Sequence, residues 1–166
     1  MAYLLGIPLL ILLAIFQSTL LGTFQFLEGR PDLILLAVIG WGLAGGSEEA
    51  MVWGLAGGIF LDMLSGVPIG TTSITLILIG TLVALYEGWI WEANFLMPLG
   101  ITLAGSLLFH VMGLGVILLM GREIDWAYAF SRVILPSTFI NLLLALPTTH
   151  ALKVLRSRLY PAEIEI

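Results

Sequence analysis

The residues in this chain able to do chemistry are few, and they stand at helix ends or singly inside apolar runs. Ala50, Gly54, Gly58 and Asp62 recur every fourth residue, so on a helix they form one nearly side-chain-free stripe ending in a carboxylate. Asp32 follows Arg30 and Pro31 at the start of another apolar run, and Gln17, His110 and Asn141 lie within apolar segments. An ionisable group at a membrane helix end is more demanding to place than any apolar residue, which makes the two aspartates the first candidates for function. Hydrolysis would need a nucleophile with a base in reach. Ser65 or Ser106 with His110 is the available set, and no oxyanion-hole motif accompanies it. We therefore expect no enzymatic activity. With no cysteine and two histidines far apart, His110 and His150, no metal site and no cofactor are expected either.

The elements that must carry these residues follow from the charge pattern. The chain is 60% hydrophobic and 10% charged, with a mean hydropathy of +1.10, the composition of an integral membrane protein. Residues 1–27, 33–47, 50–61, 63–86, 93–121 and 133–152 carry no charge. Runs such as LLGIPLLILLAIF lack the alternation of a barrel strand, so the segments are helices. The expected fold is all-α: one polytopic domain, residues 1–166, with six transmembrane helices at about 3–24, 31–46, 49–64, 70–86, 96–120 and 133–153. The second and third are short and must pack inside the bundle or thin the bilayer locally. A net charge of −5 and a pI near 4.8 leave no basic face for nucleic acid. The N-terminus lacks a basic region before its apolar run and reads as a retained first helix.

Several placements follow from counting along the helices. Pro31 suits a first helical position and Asp32 the positive helix end. Helices two and three, joined by the turn Ser47-Glu48-Glu49, form a hairpin whose small faces (Ala37, Gly40, Ala44 and the Ala50 to Asp62 stripe) are available for mutual contact. In helix one Ala14, Ser18 and Gly22 form another such stripe. The free ends of the hairpin bring Asp32 and Asp62 to one membrane side, where they either repel each other or share Arg30. Helix four reads as lipid-facing wall. Tyr86, Trp89 and Trp91 beside Glu87 and Glu92 have the pattern of an interfacial aromatic belt, and Trp41 and Trp53 fall on the same side. The segment GREIDWAYAFSR looks like a short surface-lying helix. Lys153, Arg156 and Arg158 place the C-terminus in the cytoplasm, and six crossings put the N-terminus there too. Gln17, His110 and Asn141 then lie on the side that holds Asp32 and Asp62, either as a small pocket or as interhelical hydrogen bonds.

The run Gly54-x-x-x-Gly58-x-x-x-Asp62-x-x-Ser65-Gly66-x-x-x-Gly70, with Arg30-Pro31-Asp32-Leu33 before it, resembles the rod shape-determining protein MreD family of bacterial inner-membrane proteins. The resemblance covers essentially the whole chain, and the acidic turn Ser47-Glu48-Glu49 departs from it. It implies a non-catalytic scaffold of the elongation machinery that builds the lateral wall. The partner that the resemblance implies is a single-span MreC-like protein, and through it MreB, RodA and a class B penicillin-binding protein. It also implies a fold similar to the S components of energy-coupling-factor vitamin transporters. Pro31, Asp32, Gly54, Gly58, Asp62, Ser65, Gly66 and Gly70 are then structural or partner-binding residues. The competing expectation is an S-component-like subunit that captures a vitamin among Gln17, Asp62, His110 and Asn141, docking through Ala14 and Ser18. A third is a pocket for membrane lipid or a lipid-linked precursor.

Overall fold

The computed structural model describes residues 2–19, 27–85 and 95–160. Gly22 of the helix-one stripe and the aromatic belt at Tyr86, Glu87, Trp89, Trp91 and Glu92 lie outside them. Six helices are described: α1 Ala2–Thr19, α2 Leu33–Leu43, α3 Ser47–Ser65, α4 Thr71–Leu85, α5 Leu96–Leu119 and α6 Trp126–Leu159. Of these, α5 and α6 are long and apolar enough to cross a membrane. The charge-free runs at 33–47 and 63–86 overstate α2 and α4 because turns consume part of each. The run at 63–86 gives up its first residues to the end of α3 and the bend before Thr71, leaving 15 helical residues, or about 22 Å.

The centre of the bundle is α2, in which Ile34 through Gly42 are all buried. It packs against α6, α3, α4 and α5. Gly40 lies against Leu152 and Thr149 of α6, and Gly57 of α3 against Ile34. Chain reversal after α2 uses Gly45 at φ +96°, a left-handed conformation that glycine adopts at little cost. Glu48 and Glu49 in the first turn of α3 suit its positive end. At its other end, Gly66 takes the left-handed C-cap position at φ +68°.

Gly54 and Gly58 of the α3 stripe meet α4, while Ala50 lies between Gly80 of α4 and Gly42 of α2. A Cβ on Gly54 would stand 2.8 Å from the Leu76 backbone, and one on Gly58 would overlap the backbone of Ser73. Gly80 of α4 returns the contact against Ala50 and Met51. Close backbone approach of this kind is what small residues permit between membrane helices. The expectation that α4 is lipid-facing wall is therefore corrected. Thr72, Ser73, Thr75, Leu76, Ile79, Gly80 and Val83 form a buried face against α3 and its neighbours, while Ile74, Leu78, Leu82 and Leu85 remain outward.

Two further expectations are corrected. Trp41 and Trp53 do not belong to an interfacial belt: both are buried and stacked, with ring centroids 4.3 Å apart. Gly6 of α1 makes room for Trp53, since a Cβ there would stand 2.7 Å from its indole. Nor is there a separate surface helix before the last span. The Asp125 carboxylate caps the N–H of Tyr128 at 3.1 Å, and the helix then continues through a π turn at Ala129–Ile134 into Leu135–Leu159. The π turn has a local cause. Pro136 has no N–H for the carbonyl of Arg132, and its ring would crowd that carbonyl in a regular helix. The freed oxygen accepts the N–H of Glu28 at 3.1 Å.

Candidate functional site

The segment Glu28 to Asp32 is laid along α6 by alternate backbone N–H groups. Glu28 donates to the Arg132 carbonyl, Arg30 to Ser137 Oγ at 3.1 Å, and Asp32 to Asn141 Oδ1 at 2.8 Å. Pro31, lacking an N–H, falls between two of these donors. Gly29 is required by contact, because a Cβ would stand 2.5 Å from Pro136. This seam fixes where α2 begins and holds Arg30 and Asp32 in place.

Pro31 precedes the N-cap Asp32 and is not the first helical residue. Asp32 does not cap its own helix either. The oxygen of the Gln17 amide accepts the Ile34 N–H at 3.2 Å, which frees the Asp32 carboxylate to turn toward α6. There the fully buried Asn141 donates to Asp32 Oδ2 at 2.8 Å and to Ser106 Oγ at 3.1 Å. His110 Nε2 lies 4.0 Å from the same Oδ2. Its Nδ1 is 2.8 Å from the Ser106 carbonyl, which can only accept, so Nδ1 carries the hydrogen. The Ser106 hydroxyl serves Asn141 and not the imidazole. The nucleophile and base arrangement considered for Ser106 and His110 is thus not what the geometry presents.

These groups border a cavity of about 310 Å³ at the end of the bundle where α2 begins and α3 ends. Its polar lining includes Gln17, Arg30, Asp32, Ser65, His110 and Ser137, together with Ser18 and threonines of α4, and its apolar lining includes Leu61, Val67, Phe109 and Val133. Asn141 supports the cavity from beneath Asp32. Asp62 is close by in the chain but has a separate role. Its Oδ2 accepts the N–H of Gly70 at 2.8 Å and the Ser73 hydroxyl at 3.1 Å, with the Ser73 N–H at 3.4 Å; its Oδ1 accepts the Thr72 N–H at 2.9 Å. The carboxylate that ends α3 therefore caps the start of α4, the orphan donors of a helix N-terminus being a favourable place for negative charge. Gly70, at φ +103°, turns the chain into that cap. The two aspartates thus have separate partner sets.

The opposite end of the bundle holds a second cluster, for which sequence reading supplied only half of the signal. Glu49 Oε2 accepts the Trp41 indole N–H at 2.8 Å and the Arg156 guanidinium at 3.0 Å, while Oε1 accepts the Tyr160 hydroxyl at 3.0 Å. Arg156 also lies over the rings of Trp41 and Tyr160, 5.5 and 5.2 Å from their centroids. An acidic turn and a basic C-terminal helix end meet here. Helix counting puts both at one end, but gives no hint that Trp41 would complete the cluster.

A family model described as rod shape-determining protein MreD matches residues 1–155. The chain belongs to that family. No curated protein and no solved structure matches it. Membership in the MreD family makes this a membrane protein with a role in rod shape determination, in keeping with the all-helical fold and its two long apolar helices. The match takes in the cavity, the Asp62 cap and the α3–α4 contact, whereas Arg156 and Tyr160 of the second cluster follow it.

Proposed function

We propose that this chain is a non-catalytic scaffold of the bacterial cell-elongation complex, in the inner membrane. It crosses six times with both termini cytoplasmic, and binds the membrane helix of a single-span MreC-like protein. Through that partner it supports MreB, RodA and a class B penicillin-binding protein in lateral peptidoglycan synthesis. The observation that carries this reading is the family match over residues 1–155.

The face for the partner is α5. Only Thr102, Gly105 and Ser106 of its 24 residues are buried, and Gly100 and Gly115 have no atom near where a Cβ would stand; Gly113 is equally open but borders the polar cavity. Between α5 and the start of α6 runs an apolar groove of about 350 Å³, lined by Leu107, Val111, Leu114, Leu118, Trp126 and Phe130 among others. Glycine beside such a groove admits a second helix closely, and packing of this kind drives association in lipid.

The test is a mild-detergent pull-down of the tagged protein from its native membranes. Recovery of a single-span MreC-like protein is the expected result. Recovery of an ATP-binding cassette pair with a coupling membrane protein would overturn the scaffold and make the chain an S-component-like vitamin-binding subunit.

A further inference from the structure

Asp62 shows what a purely structural carboxylate looks like in this protein: both oxygens are filled by donors from α4 and the turn before it. Asp32 is held just as firmly, through the Asn141 amide and its own N–H, but it is not filled. Among the described residues no donor reaches its Oδ1. The neighbouring His110 has its Nδ1 hydrogen committed to the Ser106 carbonyl, so when the ring is neutral Nε2 is an acceptor too. Two acceptors, one of them charged, are therefore held at the cavity wall with side-chain exposures of only 13% and 12%. An incompletely hydrogen-bonded buried carboxylate is costly, and a cationic donor would relieve it.

Arg30 supplies the opposite charge. It lines the same cavity but is exposed, and its backbone is pinned to Ser137 by the seam along α6. Its guanidinium presents a planar set of donors suited to a carboxylate or phosphate. A ligand of net positive charge would leave Arg30 opposed, and one of net negative charge would leave Asp32 opposed. A molecule that carries both charges satisfies Arg30 and Asp32 at once. Its volume, near 310 Å³, is at the small end for ligand sites and suits a head group or an amino-acid-sized solute.

We propose that this cavity is a binding site for a small amphoteric ligand, with its ammonium group on Asp32 and His110 and its anionic group on Arg30. The same chemistry is presented by a free zwitterionic solute and by the phosphoethanolamine head group of a phospholipid. Once bound, the ligand ties α5 to the seam between α2 and α6. The proposal stands whether or not the chain is a scaffold, because it rests on the cavity alone.

The intact protein in a maltoside detergent is titrated by calorimetry with sn-glycero-3-phosphoethanolamine, a phosphodiester with one charge of each sign, and with glycerol 3-phosphate and ethanolamine, each of which keeps one sign of charge. In parallel, nanodiscs of mixed phosphatidylethanolamine and phosphatidylglycerol are extracted and the retained lipid is identified by native mass spectrometry. Binding of glycerophosphoethanolamine at least about tenfold tighter than either half-ligand is expected if the solute form suffices, since one charged hydrogen bond is worth that factor. Selective retention of phosphatidylethanolamine without binding of the soluble form identifies the lipid head group as the source. Asp32→Asn, which keeps the side-chain shape, and Arg30→Gln, at the exposed mouth, should each weaken whichever binding is seen by roughly tenfold. Their melting temperatures without ligand provide the folding control. Equal binding of the half-ligands, unchanged binding in both variants, or no selective binding of either form would each overturn the proposal.

Discussion

In α3 a Cβ built on Gly54 would stand 2.8 Å from the Leu76 backbone and one on Gly57 would stand 2.6 Å from Ile34, whereas in α5 a Cβ on Gly100, Gly113 or Gly115 would meet nothing within 4 Å. Both helices are glycine-rich, and in a membrane segment both sequences would be read as packing stripes. Their surroundings separate them. The glycines of α3 are closed by α4 and α2, so this helix is internal architecture. Three of those in α5 are without an internal counterpart, and the one that is closed, Gly105 against Ile39 at 3.0 Å, marks the side on which α5 joins the bundle. A small-residue stripe thus has no meaning until its partner is known.

The sharpest way to break this contrast is to add bulk to α3. In Gly58→Leu the new Cβ falls on the backbone of Ser73, which cannot move without dragging the α4 cap held by Asp62. A loss of about 3 kcal/mol or more is expected, seen as collapse of protein level in membranes and early unfolding in detergent. A Gly58→Leu protein of normal level and melting temperature would mean that α4 is not seated on α3 as described.

Next in size is the end of that contact. Asp62→Ala removes the acceptor for the N–H groups of Gly70 and Thr72 and for the Ser73 hydroxyl, and should cost about 2 kcal/mol. Partner recovery and protein level should fall together. Asp32→Asn, by comparison, leaves the seam donors in place and should cost less than about 1 kcal/mol. If the two substitutions proved equally damaging in a thermal unfolding assay, the distinction between a filled and an open carboxylate would fail.

How much of this was legible in the sequence depends on whether the signal was local. The all-helical class follows from the charge-free runs, and the stripe ending in Asp62 follows from a four-residue period. Which helix the stripe faces is a tertiary fact: nothing local distinguishes Ala37 and Gly40 of α2 from Thr72 and Leu76 of α4 as its neighbour. Counting put Gln17, His110, Asn141 and Asp32 at one end, yet the seam that joins them consists of backbone N–H groups of Glu28, Arg30 and Asp32, which no side-chain pattern announces. The aromatic residues misled for a related reason. Trp41 near a turn fits an interfacial ring, but Trp53 stacks on it and Glu49 takes its N–H, so it is buried. Pro136 was visible throughout; its consequence, a π turn that feeds the Arg132 carbonyl to Glu28, depends on a residue more than a hundred positions away.

At the other end of the bundle a milder effect is expected. Arg156→Ala removes an ion pair to Glu49 together with its contacts to the Trp41 and Tyr160 rings. Both charged side chains are partly exposed, at 23% and 18%, so the loss should be about 1 kcal/mol and should shrink in high salt. Arg156→Lys keeps the charge but not the planar stacking, and should recover only part of it. Full recovery by lysine in a salt-dependent melting series would reduce the cluster to a simple charge contact.

The smallest effect on stability, and the most informative for function, belongs to α5. Gly115→Leu introduces a side chain where no atom lies within 4 Å, at a position that borders the groove with Leu114, Leu118 and Trp126. Leucine is the better helix former, so the isolated protein should keep its stability to within about 0.5 kcal/mol of the wild type or gain slightly, as read from its melting temperature. The same side chain would fill the groove that a partner helix needs, and the pull-down should lose the single-span protein while the level of this chain is unchanged. Gly58→Leu loses the partner by losing the fold; Gly115→Leu should lose it with the fold intact. Undiminished recovery from a well-folded Gly115→Leu protein would move the docking surface off this groove and leave Gly115 facing lipid alone.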